Sequence, residues 1–289
     1  AARPFVTHHN ALDKDFYLRI DTELPLKKLL VGGMERVYEI GRLFRNEGMD
    51  TKHNPEFTTV ELYQAYGDLQ DMREIAENLF REVALKVNGT LQIPYGDGIL
   101  DLSKPFHWKT MVECVKEATG IDFSQPMSFE DAVKLAKENG IQVEKHWTSI
   151  GFIINAFFEE KCDPLLQEPT FVHSYPIEVS PLTKKEPGNP MFTDRFELFI
   201  GGMEYGNAYS ELNDPIDQKE RFEAQLAAKA LGDEEASEMD TDFLEALEYG
   251  MPPAGGIGIG IDRFVMLMTN QQSIREVIRF PCMRDSTKK

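Results

Sequence analysis

The sequence predicts an α+β fold in which an antiparallel sheet is flanked by helices. Three observations support this prediction: two antiparallel hairpins, a block with helical periodicity between them, and a glycine-rich strand that leads into a last amphipathic helix. Strands and helices that segregate along a chain in this way pack as helices on an antiparallel sheet. With 289 residues and 42% hydrophobic content, the chain can bury a large core, and we expect residues 1–289 to form a single domain.

The first hairpin has strands at residues 35–47 and 56–65 around a polar loop at 48–55. A short helix at residues 24–30 precedes it and ends before Gly32-Gly33. The middle of the chain follows this hairpin and has a different pattern.

This middle block is predicted to be helical. Residues 110–113 and 128–131 have the spacing of capping boxes, and another helix is expected at 150–161. We therefore expect a helical insertion at about residues 105–168.

The second hairpin has strands at residues 195–200 and 203–212, joined at Gly201-Gly202. Two helices follow it, at residues 215–231 and 241–249. A buried glycine-rich strand and the last helix then complete the predicted sheet and its helical cover.

The chain is acidic, with a formal net charge of −18 and a sequence pI near 4.8. This composition argues against a generic nucleic-acid-binding surface, which is basic. If the protein handles a nucleic acid, most phosphate contacts must come from elsewhere. The acidic run at residues 232–238 is interpreted as a solvated connector.

Several features indicate a cytoplasmic protein. No apolar stretch reaches the roughly eighteen residues of a membrane span, and the N-terminus has no signal-peptide pattern. Cys114, Cys162 and Cys282 are far apart and odd in number, which fits reduced thiols and offers no zinc-ligand spacing. Because the first residue is not Met, we expect the chain to start partway through a longer protein.

Charged and aromatic residues alternate along the first hairpin. Side chains in a strand point to opposite faces in turn, so Arg45 and Glu47 share one face, as do Phe57, Glu61 and Tyr63. A face that packed on the core would be apolar there. We therefore expect a binding surface, with a set of surface salt bridges as the alternative.

The second hairpin has the same character. Glu197 and Glu204 flank the Gly201-Gly202 turn, where two carboxylates repel each other unless a cation lies between them. Mg²⁺, which binds one or two carboxylates together with substrate phosphates, fits this position. The alternative is an exposed acidic hairpin. Asn207, Tyr209 and Glu211 follow at a period of two and share one face.

The glycine-rich strand at residues 255–261 leads into a helix at 263–268. Glycines weaken a strand, so their number here needs a reason, such as close approach of a ligand or packing of a helix on the sheet. Arg263 begins the next helix, whose N-terminus favours anions. The segment is neither a Walker loop nor a dinucleotide fingerprint.

Together these elements resemble the class II aminoacyl-tRNA synthetases. Motif 2 of that class is matched by FRNE (44–47) and HNPEFT (53–58), and motif 3 by GIGIDR (258–263). Three further strings narrow the resemblance to the lysine-specific enzymes: RPFVTHHN (3–10), ELY (61–63) and SELND (210–214). The resemblance covers nearly the whole chain, and the order and spacing of the motifs agree as well.

The resemblance implies roles for the ATP-binding residues. Arg45 would hold the α-phosphate and the amino-acid carboxylate, and Arg263 would lie beside the γ-phosphate and against one face of the adenine, with Phe57 on the other face. Arg45 and Arg263 are thus the implied catalytic residues. The other implied ATP contacts, of which the last two would bind Mg²⁺, are Glu47, His53, Asn54, Gly260, Glu197 and Glu204.

The resemblance also implies a lysine pocket. Glu211 and Tyr63 would bind the substrate ε-ammonium, which needs an anion and further acceptors once it leaves water. Glu23 and Glu61 would lie around the amino ends of the substrate, and which nitrogen each meets stays open. Asn207 would lie near its carboxylate.

The implied reaction is the activation of L-lysine by ATP to lysyl-adenylate, with Mg²⁺ as cofactor, and transfer to the acceptor end of tRNA(Lys). Members of the family are homodimers that carry an N-terminal anticodon-binding barrel and motif 1, neither of which this sequence contains. We therefore expect a catalytic domain of a longer protein. Two alternatives are a lysine ligase that modifies an elongation factor and a non-catalytic lysine or nucleotide sensor.

Overall fold

The computed structural model describes residues 2–233, 236 and 239–283, and most of its strands belong to one eight-stranded sheet. Four residues of the acidic run at 232–238, namely 234, 235, 237 and 238, lie outside the described residues, so the connector prediction is not tested there. The strands are β1 (Val6–His9), β2 (Lys14–Tyr17), β3 (Arg36–Phe44), β4 (Glu56–Ala65), β5 (Gln92–Tyr95), β6 (Gly98–Asp101), β7 (His107–Thr110), β8 (Thr170–Pro176), β9 (Lys185–Glu186), β10 (Asn189–Ile200), β11 (Met203–Ser210) and β12 (Ala254–Gly260).

The sheet has the strand order β3-β4-β12-β11-β10-β8-β7, and β9 pairs with β10 beside this path. Every pairing is antiparallel except that of β7 with β8, which is parallel. The predicted antiparallel sheet flanked by helices is confirmed, with this one parallel pair added. Two separate hairpins, β1-β2 and β5-β6, complete the strands.

Eight α-helices flank the sheet within the described residues. They are α1 (Glu23–Val31), α2 (Leu69–Asn88), α3 (Met111–Thr119), α4 (Phe129–Glu138), α5 (Ile150–Lys161), α6 (Pro215–Ala230), α7 (Thr241–Gly250) and α8 (Ile261–Met268). The longest, α2, was not identified from the sequence, although Asp68 opens it with a full capping box and Gly89 ends it in the left-handed conformation.

The capping predictions in the middle block are borne out in different degrees. Thr110 and Glu113 form both bonds of a capping box at the start of α3. At α4, Ser128 accepts from the Asp131 backbone N–H, but the Asp131 carboxylate accepts from the Ser128 hydroxyl instead of its backbone. The block at residues 105–168 also contains β7, so it contributes a strand to the sheet as well as helices.

Three apolar clusters join these elements. The first lies between the sheet and helices α2 and α8, the second lies under α3, α4 and α5, and the third joins α1, α6 and α7 to the sheet. In the third cluster, Leu26 and Leu30 of α1 are buried with Phe243 of α7 and Tyr63 of β4. This packing places the first turn of α1 beside the ends of the central strands.

The strand ends differ from the predicted ones where functional side chains are concerned. The first predicted strand ends at Phe44, so Arg45 and Glu47 lie in the following loop and not on a strand face. The Arg45 N–H still donates to the Pro55 carbonyl at 2.9 Å, which keeps the loop closed. Likewise Glu211 follows the end of β11, where its N–H donates to the Ala254 carbonyl at 2.8 Å.

All three cysteines carry free thiols, as predicted, with Cys114 and Cys162 buried and Cys282 exposed. Among the described residues, none of the helices combines the length and apolar character needed to span a membrane.

Candidate active site

A cavity of about 430 Å³ opens at the face of β4, β12 and β11, between the loop at residues 45–55 and the first turn of α1. Almost every site residue predicted from the sequence lines it. The lining residues from that prediction are Glu23, Arg45, Glu47, His53, Asn54, Phe57, Glu61, Tyr63, Glu197, Glu204, Asn207, Gly260 and Arg263. Glu211 is the exception, because its side chain has no exposed surface.

One end of the cavity is built around Arg263 in the first turn of α8. Its Nη1 donates to the Glu204 carbonyl at 2.7 Å and lies 3.5 Å from Glu204 Oε2, and its Nη2 lies 2.9 Å from His53 Nε2. Asp262 accepts the Thr58 backbone N–H at 2.6 Å and so ties α8 to β4. The guanidinium is therefore held at a helix N-terminus, a position that favours a bound anion.

The loop at residues 45–55 closes over this end. His53 Nδ1 faces the Asp50 carboxylate at 2.9 Å, which orients the ring so that Nε2 meets Arg263. Arg45 lies with its guanidinium carbon 5.2 Å from the centre of the Phe57 ring. The Asn54 amide donates to the Glu56 carbonyl at 2.6 Å, so its NH₂ group holds the loop.

Glu197 and Glu204 both line the cavity, and a cation that the sequence interpretation overlooked lies beside Glu197. Arg195 Nη2 is 2.5 Å from Glu197 Oε1, and Arg195 Nε donates to Asn207 Oδ1 at 3.0 Å. Burial and the charge of Glu204 raise the pKa of Glu197 to about 7, while Arg195 opposes the rise. The positive charge of Arg195 therefore partly offsets the repulsion expected between Glu197 and Glu204.

The donor set of Glu197 and Glu204 fits Mg²⁺ in its substrate-bound form. Within the described residues, no group of three or more His, Cys, Asp or Glu side chains is arranged to hold a metal ion. Mg²⁺ uses one or two carboxylates when substrate phosphates and water complete its coordination. A fully protein-bound metal centre is a poorer fit to this geometry than an ion that arrives with a nucleotide.

The opposite end of the cavity is acidic. Asp21, Glu23 and Glu61 line it together with Tyr63 and Tyr209. Burial, then the charges of Glu23 and Asp21, raise the pKa of Glu61 to about 7. The Tyr63 hydroxyl donates to Glu61 Oε2 at 3.3 Å. Several carboxylates held this close together favour binding of a cation, because a cation relieves their mutual repulsion.

Glu211 lies directly behind this acidic wall and is paired with Lys27 of α1. The two charged atoms, Glu211 Oε2 and Lys27 Nζ, are 2.5 Å apart, and neither side chain is exposed. Lys27 Nζ is also 2.5 Å from Glu23 Oε1, one helical turn earlier. Glu211 and Tyr63, which were predicted to bind a substrate ammonium together, thus lie beside an ammonium of the protein itself, that of Lys27.

The structural reason for a glycine differs from position to position along strand β12. A Cβ at Gly255 would fall 2.7 Å from the Asp68 carbonyl, so this glycine is needed for packing of α2 on the sheet. A Cβ at Gly256 would overlap Tyr63 and Glu211 Oε1. At Gly260, a Cβ would make only ordinary contacts with Arg263, so the protein itself does not require glycine there.

Among the residues of the site that were missed from the sequence are Lys27, Arg195 and Asp21. Lys27 stands four residues after Glu23, which is the helical spacing of an ion pair and was a readable signal. Arg195 stands two residues before Glu197 on one strand, a spacing that places both on one face. Asp21 precedes α1 and has no such pattern.

Comparison with known proteins identifies the family of the chain. A family model for class II tRNA synthetases (D, K and N) matches residues 1–284. The lysine–tRNA ligase of Lysinibacillus sphaericus is 60% identical over 288 residues, which cover 100% of this chain and 57% of that relative. Those of Streptococcus sanguinis and Staphylococcus haemolyticus are 59% and 57% identical, each over 98% of this chain and 57% of the relative.

The chain thus spans little more than half the length of the curated relatives it matches. Within that span the motif 2 and motif 3 segments meet around one cavity, as the resemblance implies. The match of the family model over residues 1–284 shows that the chain belongs to the class II tRNA synthetase family (D, K and N).

Proposed function

We propose that the protein activates L-lysine with ATP, forms lysyl-adenylate and pyrophosphate, and transfers the lysyl group to the acceptor end of tRNA(Lys) in the cytoplasm. The observation that carries the proposal is a single cavity with an arginine-containing end and an acidic end. The names of the relatives, lysine–tRNA ligases at about 60% identity, support the same assignment.

The arginine-containing end suits ATP. Arg45 would bind the α-phosphate and the lysine carboxylate, since its planar fork matches both anions. Arg263, held by Glu204 and His53, would lie beside the γ-phosphate and against the adenine. Phe57 would cover the other face of the base. Glu47, Asn54 and Gly260 line the same region and would complete the nucleotide contacts.

Glu197 and Glu204 would hold Mg²⁺ together with the phosphates of ATP. A bound Mg²⁺ supplies positive charge next to the phosphate oxygens. Arg195 keeps Glu197 in place and donates to Asn207, which would face the lysine carboxylate. Residues of the neighbouring strands β10 and β11 would thereby orient both the phosphates of ATP and the carboxylate of lysine.

The acidic end suits the two amino groups of lysine. Glu23, Glu61 and Tyr63 line it, and Glu211 lies behind Gly256. An ammonium that leaves water needs a carboxylate and further hydrogen-bond acceptors, and this end offers both.

The chemical step needs no general base, because the lysine carboxylate is already ionised. A carboxylate oxygen attacks the α-phosphorus, the bond from that phosphorus to the bridging oxygen breaks, and pyrophosphate leaves with that electron pair. The protein contributes position and charge: Arg45 and Arg263 would hold the reacting groups in line and offset the phosphate charge.

The first test is lysine-dependent exchange of pyrophosphate into ATP, with Glu211→Gln beside the wild-type chain. Exchange should require L-lysine and Mg²⁺. In the variant, kcat/KM for lysine should fall by about 2–5 kcal/mol of transition-state free energy, because a buried charge loses its partner. Glu82→Gln on the exposed side of α2 is the matched control and should behave as wild type. Exchange that proceeds equally without lysine would contradict the proposal.

Acceptor identity requires a separate measurement. Radiolabelled lysine should be transferred to tRNA(Lys) transcripts and not to a purified elongation factor; labelling of the protein acceptor alone would overturn the tRNA assignment. With a formal net charge of −18, this chain should gain little of its tRNA affinity from general phosphate attraction.

We also propose that the whole protein is a homodimer. Strand β3 forms one edge of the large sheet and exposes Tyr38 and Ile40, which are 71% and 60% accessible. Exposed apolar residues on an edge strand are a feature that a protein–protein contact covers. Sedimentation should give a dimer, and Tyr38→Lys with Ile40→Lys should weaken it; a monomer of the whole protein would contradict this assignment.

A further inference from the structure

A buried ammonium group lies directly behind the acidic end of the cavity. Lys27 Nζ is 2.5 Å from Glu23 Oε1 and 2.5 Å from Glu211 Oε2. The rings of Tyr63 and Tyr209 flank it, with their centres 5.9 and 5.7 Å away. Carboxylates and aromatic faces are the groups that bind an ammonium out of water. The protein thus surrounds its own lysine with the chemistry that a substrate lysine requires.

The two carboxylate oxygens of Glu211 have different surroundings. Oε2 faces Lys27, whereas Oε1 has no hydrogen-bond or ion-pair partner among the described residues. Oε1 lies against Gly256, at a point of the cavity wall where there is no side chain. A buried carboxylate oxygen without a donor carries a large free-energy cost, which a ligand donor arriving beside Gly256 would remove.

We infer that Lys27 is a positioning residue for lysine recognition: it binds Glu211 through Oε2, favours the ionised form of that carboxylate, and leaves Oε1 to receive an ammonium of the substrate across Gly256. The inference rests on the proposed function and deepens it by naming the residue that sets the charge of the pocket. Lys27 does not line the cavity and so need not be displaced when lysine binds.

The charges of the cluster support this role. Glu23 and Glu211 contribute two negative charges and Lys27 one positive charge, which leaves one negative charge for one incoming ammonium. Without Lys27, the buried carboxylate of Glu211 and the cavity-facing carboxylate of Glu23 would compete for the same substrate cation, and one of them would take up a proton instead. Lys27 therefore offsets one of the negative charges at this end of the cavity, where Asp21 and Glu61 also lie.

The ionisation of Glu211 is the measurable consequence. Burial raises the pKa of Glu211, and the charge of Lys27 is the largest influence that opposes the rise. The other titratable groups that face Glu211, from α1, β4 and β11, are Glu23, Glu61, Tyr63 and Tyr209. Removal of the Lys27 ammonium should raise the pKa of Glu211 further, so that lysine binding requires a higher pH.

The test combines two measurements on Lys27→Met. The titration of Glu211 is followed by ¹³C NMR of glutamate-labelled protein and is assigned by loss of its signal in Glu211→Gln. The affinity for L-lysine is followed by calorimetry from pH 6 to pH 9. Both midpoints should move to higher pH by about 1–3 units, the shift that a neighbouring opposite charge produces. Lys28→Met, one position along α1, is the matched control and should leave both midpoints unchanged.

Two further variants separate the charge effect from a loss of packing. Glu23→Gln removes a negative charge that raises the pKa of Glu211, so it should move the Glu211 midpoint to lower pH, opposite to Lys27→Met. In a Glu211→Gln background, Lys27→Met should cause no further change in the pH profile of lysine binding. If Lys27 had only a structural role, its substitution would still change lysine binding in the Glu211→Gln background.

Each outcome is decisive. A wild-type chain that binds no lysine in calorimetry would count against the proposed function, while the NMR titration would still test the pairing. A Glu211 midpoint that stays in place in folded Lys27→Met would overturn the inference. If Lys27→Met has no cooperative thermal melt, Lys27→Gln, which also lacks the charge but keeps a polar side chain, is titrated in its place, and an unmoved Glu211 midpoint in it overturns the inference.

Discussion

Gly256 lies so close to Glu211 that a Cβ on the glycine would overlap Glu211 Oε1. The same Cβ would also overlap the ring of Tyr63. The glycine is therefore the opening between a buried carboxylate and the cavity, and it gives a specific reason for one of the glycines that make β12 unusual as a strand.

Gly256→Ala should abolish lysine binding and leave ATP binding in place. The added methyl group would displace Tyr63 and block Glu211 Oε1, whereas the arginine-containing end lies farther along the cavity. Calorimetry with each substrate checks this, with Gly98→Ala on the exposed hairpin β5-β6 as control, since a Cβ there would meet only an ordinary contact at 3.7 Å. Unchanged lysine affinity in Gly256→Ala would place the lysine site elsewhere.

Arg195→Met should shift the activity profile of the protein to higher pH. Burial and Glu204 already raise the pKa of Glu197 to about 7, and Arg195 is the cation that opposes them. Without Arg195 the pKa rises further, so the ionised form that Mg²⁺ requires is populated only at higher pH. Exchange rates measured from pH 6 to pH 9 at fixed Mg²⁺ should show this, and Arg279→Met should have the wild-type profile. If the pH profile of Arg195→Met were the same as that of the wild type, Arg195 would not control the ionisation of Glu197.

Asp163 makes the fold less stable as the pH rises. Burial, then the charges of Glu159 and Glu204, raise its pKa from 3.8 to about 7. Between these two values the folded state binds more protons than the unfolded state, so the free energy of unfolding falls with increasing pH. Asp163 is partly exposed, and solvent screening reduces the effect to about 1–2 kcal/mol. Urea denaturation of Asp163→Asn should show a higher free energy of unfolding at pH 8 and no difference at pH 4; equal stabilities at pH 8 would contradict the assigned cause.

Asp68→Ala should destabilise the fold through α2. The Asp68 carboxylate accepts from the N–H groups of Gln70 and Asp71 and thereby completes the capping box. Its loss should lower the free energy of unfolding by about 0.5–2 kcal/mol. Urea denaturation measures this, with Asp97→Ala in the exposed β5-β6 turn as control. A similar loss in both variants would mean that the cap itself is not responsible.

The site residues that could be predicted are those that lie close together in the sequence, within one hairpin or one motif, so that their residue types and spacing can be read directly. Glu197 and Glu204 were identified from a single turn, and Arg263 from its position after the glycine-rich strand. The pairing of Lys27 with Glu211 joins residues far apart in the sequence, so spacing could not reveal it. The parallel pairing of β7 with β8 was missed because neither segment was predicted as a strand: β7 falls in the block predicted to be helical, and β8 follows that block.

Helix α1 carries the cavity-facing carboxylate of Glu23 and the hidden ammonium of Lys27 on successive turns. Its remaining face is anchored by Leu26 and Leu30, which are buried in a cluster with Phe243 of α7. A rotation of this one helix would therefore move both charges at once, one out of the cavity and the other out of its pair. If this cavity selects lysine as we propose, its selectivity is tied to the packing of α7 against α1, so substitutions in α7 that do not contact a substrate should alter it.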